Sequence, residues 1–218
     1  MRSSLQPPVE TPPVVGETQI VDVDRLKRTC GNCDLTENEQ RVLSSFALML
    51  DRKRKGAAAY LEVGIFGGGT IKYLRGLVPS LKCTGVDLFE DFKVSENNTH
   101  ISGNYRMADV QEFLGPAVAL VKGDSSEVLG QLQGKFDLIF IDGNHTYEGC
   151  KSDFEKSLRL LATDGFVALH NCSPHGDPDW RLYNTKDGGP WQLLTELKAK
   201  NDFRVVNEVD RIAVLTRV

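Results

Sequence analysis

The sequence lacks any apolar run near the roughly 20 residues that a membrane-spanning helix needs, and its N-terminal residues contain no apolar signal core. It also lacks an excess of positive charge, since 26 basic and 30 acidic residues give a net charge of −4. That balance argues against a partner bound through nucleic-acid phosphates. The five cysteines are odd in number and scattered, which favours a reducing compartment over a disulfide framework. We therefore expect a cytoplasmic protein that binds neither nucleic acid nor membrane.

The chain does contain enough apolar sequence for one α/β domain with a full core. It has 218 residues, of which 40% are hydrophobic and 26% are charged. Residues 1–18 hold four of the nine prolines and little to bury, so we expect a flexible Pro-rich arm. We predict an N-terminal helical extension over 19–56 and the main domain over 57–218. The polar, irregular stretch 90–115 suits a lid over the site.

Local patterns predict where the elements lie. Thr36 and Glu39 form a capping-box pattern before an amphipathic run that ends at Gly56, which predicts a helix. Apolar runs then alternate with helical runs, and this order is typical of a parallel sheet with helical crossovers. We expect a doubly wound, mostly parallel seven-stranded sheet with a C-terminal antiparallel hairpin. Strands are predicted at 60–63, 82–89, 117–124, 136–145 and 165–171, with the hairpin about Asp210.

The stretch YLEVGIFGGGT, residues 60–70, joins the first strand to a helix through a glycine-rich turn. Such a turn lets backbone approach a nucleotide-like ligand closely. Position 66 is Phe, so the spacing departs from the dinucleotide fingerprint. This segment alone is compatible with a purely structural turn and with a ligand-binding turn.

Polar residues also follow each of the five predicted parallel strands. In an open parallel sheet, ligands bind beyond the carboxyl ends of the strands. A single Asp after a strand has an ordinary explanation as a helix cap. Five polar clusters on one rim are harder to explain by capping alone. They are Glu62 with the glycines, Asp87, Asp124 with Ser125, Asp142 with His145, and His170 with Asn171.

On these residues the chain resembles the class I S-adenosylmethionine-dependent methyltransferases, and within them the small-molecule O-methyltransferases with a D-G-x-H motif after strand four. The resemblance runs from about Tyr60 to Val218. Its most specific segment is FDLIFIDGNHTYEGCKSDFEKSLRLLATDGFVALHN, residues 136–171. It implies a Rossmann-like methyltransferase fold and S-adenosylmethionine as cofactor. The acceptor it implies is a hydroxyl of a small molecule, such as a sugar or a phenol of the polyketide kind.

The resemblance also implies roles for the residues of the rim. Glu62 would orient the amino end of the cofactor, Asp87 would hold the two ribose hydroxyls, and Asp124 with Ser125 would meet the adenine. An acidic rim suits a cofactor that carries a sulfonium and an ammonium group. The cofactor-binding set implied in full is Glu62, Gly64, Phe66, Gly68, Asp87, Asp124, Ser125 and Asp142.

His145 lies where relatives keep a general base, beside Asp142 as the second catalytic residue. An imidazole with an ordinary pKa of about 6.5 can accept a hydroxyl proton near neutrality. A turn histidine bonded to backbone and a metal ligand are the alternatives. Metal-dependent relatives hold Mg²⁺ with an Asp after strand four and an Asp-Asp or Asp-Asn pair after strand five. Here that set is Asp142, His170 and Asn171, and its histidine suits Mn²⁺, Fe²⁺ or Zn²⁺ better than Mg²⁺.

Two other functions fit the same features. A catalytically inactive protein of this fold could still bind S-adenosylmethionine or a nucleotide. An NAD-dependent dehydrogenase would use Asp87 and the glycine turn, although Phe66 and the D-G-x-H segment count against it. His100 and Tyr105 in the insert are candidate acceptor contacts, and a homo-oligomer is left open.

Overall fold

The computed structural model describes residues 33–89, 105–172 and 188–218. The predicted Pro-rich arm, His100 and most of the insert before Tyr105 lie outside the described residues. Residues 173–187 also lie outside them.

The first described helix begins where the capping box predicts. Helix α1 spans Glu37–Lys53 and is capped by Thr36. The backbone N–H of Glu39 donates to the Thr36 hydroxyl at 3.2 Å, and the backbone N–H of Thr36 donates to a Glu39 carboxylate oxygen at 2.8 Å. These two bonds satisfy amide groups that the first turn of a helix leaves unpaired.

Seven strands form one sheet in the order β3-β2-β1-β4-β5-β7-β6. The first five are parallel, and β7 runs antiparallel to both β5 and β6. The predicted α/β fold with its C-terminal hairpin is therefore confirmed. The strands are β1 Ala59–Val63, β2 Lys82–Asp87, β3 Ala119–Lys122, β4 Phe136–Ile141, β5 Leu161–Leu169, β6 Phe203–Val209 and β7 Ile212–Arg217.

The helices cover both faces of this sheet. Alternate strand residues point to opposite faces, and the core is accordingly divided into two apolar clusters. Helices α1, α2 and α3 pack on the face that holds Tyr60 and Phe140, whereas α4, α5 and α6 pack on the face that holds Leu61 and Ile139. In the described ranges no helix combines the length and apolarity needed to cross a membrane. The helices after α1 are α2 Gly69–Leu77, α3 Met107–Leu114, α4 Ser125–Gln131, α5 Tyr147–Ser157 and α6 Gly189–Lys200.

Strand β5 starts four residues before its predicted boundary. Leu161 pairs with Phe136, but the register then shifts before Phe166 pairs with Leu138. Asp164 within the shifted stretch has a left-handed backbone, with φ of 59°. The Asp164-Gly165 pair, a turn-forming sequence, therefore lies inside β5 as an irregularity in its pairing. For this reason the continuous run of apolar residues begins only after Gly165.

Candidate active site

The parallel register aligns the ends of four strands on one rim. Val63 of β1 pairs with Val86 of β2 and with Ile141 of β4, and Ile141 pairs with Leu169 of β5. The residues that come next in sequence therefore lie side by side. They are Gly64, Asp87, Asp142 and His170, all of them predicted site residues.

Gly64 is required by the close approach of β4 to β1. Its φ is +83°, and a Cβ atom placed on it would lie 2.3 Å from the Asp142 carbonyl oxygen. No other residue fits this position without moving the backbone. The glycine thus brings the Asp142 backbone close to the turn, and this structural reason for a glycine holds whether or not a ligand contacts it.

The glycine turn presents an aromatic ring at the rim. Phe66 is 40% exposed and has a left-handed backbone with φ of 49°. Its ring meets Tyr105 edge to face, with centroids 4.7 Å apart. Tyr105 also lies over Gly67, where a Cβ would be 3.5 Å from its ring. Gly68, with φ of +80°, then leads into α2.

Asp87 shapes the glycine turn from the neighbouring strand. One carboxylate oxygen accepts the backbone N–H groups of Ile65 and Phe66, both at 2.9 Å, and the other accepts that of Phe89 at 3.2 Å. Burial raises the pKa of Asp87, and these amide bonds oppose the rise. The backbone N–H of Leu88 also bonds to Asp87, so four amides face this carboxylate. Its contact with two ribose hydroxyls stays a prediction.

Glu62 is a buried carboxyl group in an acidic surrounding. It is 2% exposed and accepts a hydrogen bond from the Tyr60 hydroxyl at 2.7 Å. Burial raises the pKa of Glu62 well above its usual range. The Tyr60 bond and the charge of His170 oppose this, while the charges of Asp142 and Asp87 add to it. A cation brought to this rim would favour the ionised form of Glu62.

Asp124 and Ser125 lie at the start of α4 and differ in what they contact. Asp124 is exposed and caps the helix by accepting the Ser126 backbone N–H at 2.8 Å. The Ser125 hydroxyl bonds to Asp153, a residue of α5 that is 1% exposed and whose pKa burial raises to about 6. Asp153 was not predicted from the sequence. The pattern that could have indicated it is an acidic residue on the buried face of α5, between Cys150 and Phe154.

Two histidines converge on one oxygen of Asp142. Oδ1 lies 3.2 Å from Nε2 of His145 and 2.9 Å from Nδ1 of His170. The side chains are 12% exposed for His145, 25% for Asp142 and 2% for His170. Burial alone would raise the pKa of Asp142, but the charge of His170 and the hydrogen bonds from both histidines outweigh it and lower that pKa below its usual range. Asp142 is therefore ionised and can orient both rings.

The other side of His170 faces Glu39, for which the sequence predicted only a role in the helix cap. Nε2 of His170 lies 3.4 Å from Oε2 of Glu39, whose side chain is fully buried. The backbone N–H and Nε of Arg211 bond to Oε1 of Glu39 at 2.9 and 3.2 Å. Burial would lower the pKa of His170, but Asp142 and Glu39 raise it to about 9. Burial would likewise raise the pKa of Glu39, but His170, Thr36 and Arg211 lower it to about 2.

Two of the proposed metal donors, Asp142 and His170, contact each other directly. Nδ1 of His170 faces Asp142 and Nε2 faces Glu39, whereas a metal-bound histidine offers one nitrogen lone pair and commonly gives its other ring N–H to a carboxylate. Oδ1 of Asp142 is already shared by two imidazoles, and Asn171 has a left-handed backbone with φ of 58°. Within 33–89, 105–172 and 188–218, no group of three His, Cys, Asp or Glu side chains could hold a metal. The metal site at Asp142, His170 and Asn171 stays a prediction.

Comparison with known proteins decides the family. Residues 61–172, just over half of the chain, match a family described as a methyltransferase domain. The chain belongs to this family. The matched residues run from β1 to the residue after Asn171, so they include every predicted site residue of this methyltransferase. Recognition of the class I methyltransferase fold is thereby confirmed, whereas the subgroup defined by the D-G-x-H motif remains a prediction.

Solved structures agree with the fold. A methyltransferase from Podospora anserina with bound S-adenosylhomocysteine (SAH) is 18% identical, with a TM-score of 0.59 over 94% of this chain and 99% of that one. An O-methyltransferase from Bacillus cereus in complex with SAH is 17% identical, with a TM-score of 0.57 over 89% and 90%. MycE of the mycinamycin biosynthetic pathway, in complex with Mg and SAH, is 14% identical, with a TM-score of 0.64 over 90% and 54%. At these identities the likeness concerns the fold alone.

Proposed function

We propose that this methyltransferase uses S-adenosylmethionine to methylate a hydroxyl group of a small molecule. The observation that carries the proposal is the contact between Asp142 and His145 on the rim where Glu62 and Asp87 lie. The imidazole of His145, held by Asp142, would serve as a proton acceptor. The acidic groups beside it would form a binding surface for a cationic cofactor. The methyltransferase family and the SAH-bound neighbours of the same fold support it.

The acidic groups suit the cationic parts of the cofactor. Glu62 would receive its ammonium group, because a cation there offsets the cost of ionising a buried carboxyl group. Asp87 would meet the ribose, and Asp124 with Ser125 the adenine. The turn from Gly64 to Gly68, with Phe66 at its tip, would lie along the methionine part.

The proposed chemistry is an in-line displacement that needs alignment and one proton acceptor. S-adenosylmethionine supplies an electrophilic methyl group on its sulfonium. His145 would take the proton from the acceptor hydroxyl. Asp142 would hold the ring of His145 through its contact with Nε2. Asp142 would then stabilise the imidazolium that forms.

The acceptor class rests on the resemblance and on one feature of the rim. Phe66, which is exposed, and Tyr105, which is half-buried, form an aromatic pair next to the glycine turn. Aromatic faces of this kind suit a phenol ring or the apolar face of a sugar. O-methylation of a phenol or a sugar hydroxyl is therefore the proposed reaction.

Two measurements on the full chain test the proposal. Calorimetric titration should show binding of S-adenosylmethionine and SAH and no comparable binding of NAD. Transfer of radiolabelled methyl groups to a panel of phenols and sugar derivatives should then yield a labelled product. Binding without transfer to any member would favour an inactive protein of the same fold, and preferential binding of NAD would favour a dehydrogenase.

A further inference from the structure

We propose that helix α6 positions His145 through two residues, Gly189 and Glu196. Gly189 lets the start of α6 pack against the backbone of the segment 143–147, called here the His145 turn, and Glu196 holds the side chain of Tyr147 at its end. The effect on turnover rests on the proposed methyl transfer. The contacts between α6 and the His145 turn stand without it.

The first step is that hydrogen bonds tie together the residues on either side of His145. Oδ1 of Asn144 accepts the backbone N–H and the hydroxyl of Thr146, both at 2.9 Å. The Thr146 hydroxyl oxygen in turn accepts the backbone N–H of Gly149 at 3.1 Å and caps α5. His145 lies between these two bonded residues, so displacing either of them displaces the histidine as well.

The second step is the close approach of Gly189 to the backbone of this turn. A Cβ atom placed on Gly189 would lie 2.4 Å from the carbonyl oxygen of His145 and 2.4 Å from the backbone nitrogen of Tyr147. The backbone of Gly189 is not left-handed. Lack of space, and not the conformation of the chain, is therefore the reason why a glycine stands at this position.

The third step is that α6 is fixed more firmly than the turn. Leu193 and Leu194 are each 1% exposed and belong to the same apolar cluster as Phe154 of α5. Close packing of this kind resists displacement. Asn144 and Thr146, by contrast, are exposed. A side chain added at position 189 would therefore displace the His145 turn rather than the helix.

The fourth step is a second contact between α6 and the turn. The Tyr147 hydroxyl donates to Glu196, and Nζ of Lys151 donates to that hydroxyl at 2.9 Å and lies 3.2 Å from Oε1 of Glu196. Glu196 is about two helical turns beyond Gly189, so both residues lie on one face of α6. The helix thus holds the His145 turn by its backbone and by its last side chain.

The consequence is a separation between the position of His145 and the binding of the cofactor. Glu62 and Asp87, the acidic groups proposed to meet the cofactor, belong to β1 and β2, whose ends are fixed by the pairing of these strands. His145 depends instead on α6 for its place 3.2 Å from Asp142. A shift of about 1 Å at a reacting group can lower a rate by about 10²-fold.

The chain offers a matched control in another helix. Gly130 lies inside α4, and a Cβ atom placed on it would have no described atom within 4 Å. Gly130→Ala therefore makes the same chemical change as Gly189→Ala without creating a contact.

The first experiment compares the ring signals of His145 in ¹H–¹³C NMR spectra of the full chain at one fixed pH. Gly189→Ala should shift these signals and leave those of Phe140, a buried ring of β4, in place. Gly130→Ala should shift neither. Unchanged His145 signals in folded Gly189→Ala would overturn the inference. This readout needs no acceptor, so a failure of wild-type methyl transfer would count against the proposed function alone.

The second experiment separates turnover from cofactor binding. Gly189→Ala should lower kcat by at least about tenfold, because the proton acceptor is displaced. Its dissociation constant for SAH should stay within a few-fold of wild type, and Gly130→Ala should match wild type in both measurements. Equal losses of turnover in the two variants, or weakening of SAH binding in step with the loss of kcat, would overturn the inference.

Glu196 keeps the inference testable if Gly189→Ala does not fold. Glu196→Ala removes the partner of the Tyr147 hydroxyl and should lower kcat and shift the ring signals of His145. Glu196→Gln retains an oxygen that accepts this hydroxyl and should recover most of the lost turnover. Identical behaviour of the Ala and Gln variants would overturn the inference.

Discussion

Oδ1 of Asp142 lies 3.2 Å from Nε2 of His145, three residues further along the chain. The turn between them belongs to the segment that leads from β4 into α5. The end of β4 fixes the position of the Asp142 carboxylate, and the turn places the His145 imidazole next to it. This contact allows Asp142 to set the orientation of the proposed proton acceptor.

Replacing His145 by Ala should lower kcat by at least about 10²-fold, because a general base contributes about 10²- to 10⁴-fold. The affinity for S-adenosylmethionine should stay within a few-fold of wild type, since His145 is proposed to face the acceptor. The rise of kcat/KM with pH that a histidine base produces should vanish in the variant. Steady-state kinetics across pH and calorimetry measure these effects. Near-native turnover with the same pH profile would make His145 a structural residue.

Replacing Asp87 by Asn should weaken the binding of SAH by about 10- to 150-fold, because charge-assisted hydrogen bonds contribute about 1.5–3 kcal/mol. The change removes the charge that holds the amides of Ile65 and Phe66 and is proposed to meet the ribose. Asp137→Asn is the matched control, since Asp137 is also a buried carboxylate that accepts a backbone N–H, that of Ala59, and lies near the start of β4, away from the rim. An unchanged dissociation constant for folded Asp87→Asn would remove Asp87 from the cofactor site.

Binding of S-adenosylmethionine should release a proton from Glu62. Burial, and then the nearby charges of Asp142 and Asp87, raise the pKa of Glu62 well above its usual range and so favour its protonated form in the free protein. An ammonium group beside it would favour ionisation. Calorimetry in buffers of different ionisation enthalpy measures the released proton. Glu62→Gln should abolish the release, and an equal release from this variant would exclude Glu62 as its source.

The stability difference between wild type and Glu39→Gln should depend on pH in two directions. The pKa of His170 is raised from 6.5 to about 9. Its contribution to the free energy of unfolding is therefore complete below pH 6.5 and is lost as the pH rises through 9. The pKa of Glu39 is lowered from 4.5 to about 2, so its contribution is present above pH 4.5 and is lost as the pH falls through 2. Urea unfolding should show the largest difference between pH 4.5 and 6.5. A difference that stays constant up to pH 10 would contradict the ion pair of Glu39 and His170.

The sequence predicted the elements whose signals are local. The capping box at Thr36 predicted the start of α1, and apolar runs ending in polar residues predicted the five parallel strands and their common rim. These signals work because burial on a strand and satisfaction of helix-end amides are decided within a few residues. The resemblance to methyltransferases added the roles proposed for those residues.

The contacts of Glu39, Arg211 and Asp153 could not be predicted in the same way. Glu39 and Arg211 are separated by 172 positions, and each has an ordinary local explanation as a helix cap or a turn residue. Their meeting depends on where α1 and the β6–β7 hairpin lie on the finished sheet. The start of β5 could not be predicted for a similar reason. The local sequence at Asp164 indicates a turn, but the pairing of β5 with β4 continues on both sides of this residue.

The position of Arg211 also bears on how the protein is made. The contacts of Glu39 with Arg211 and His170 join the first described helix to the turn before the last described strand, so they form only after the ribosome has synthesised the chain beyond Arg211. A nascent chain arrested after β5 would already contain Asp142, His145 and His170 but would lack the arginine that holds Glu39. The contacts around His170 are therefore completed only after the hairpin has been synthesised, and the proposed proton-transfer site beside them is completed with it.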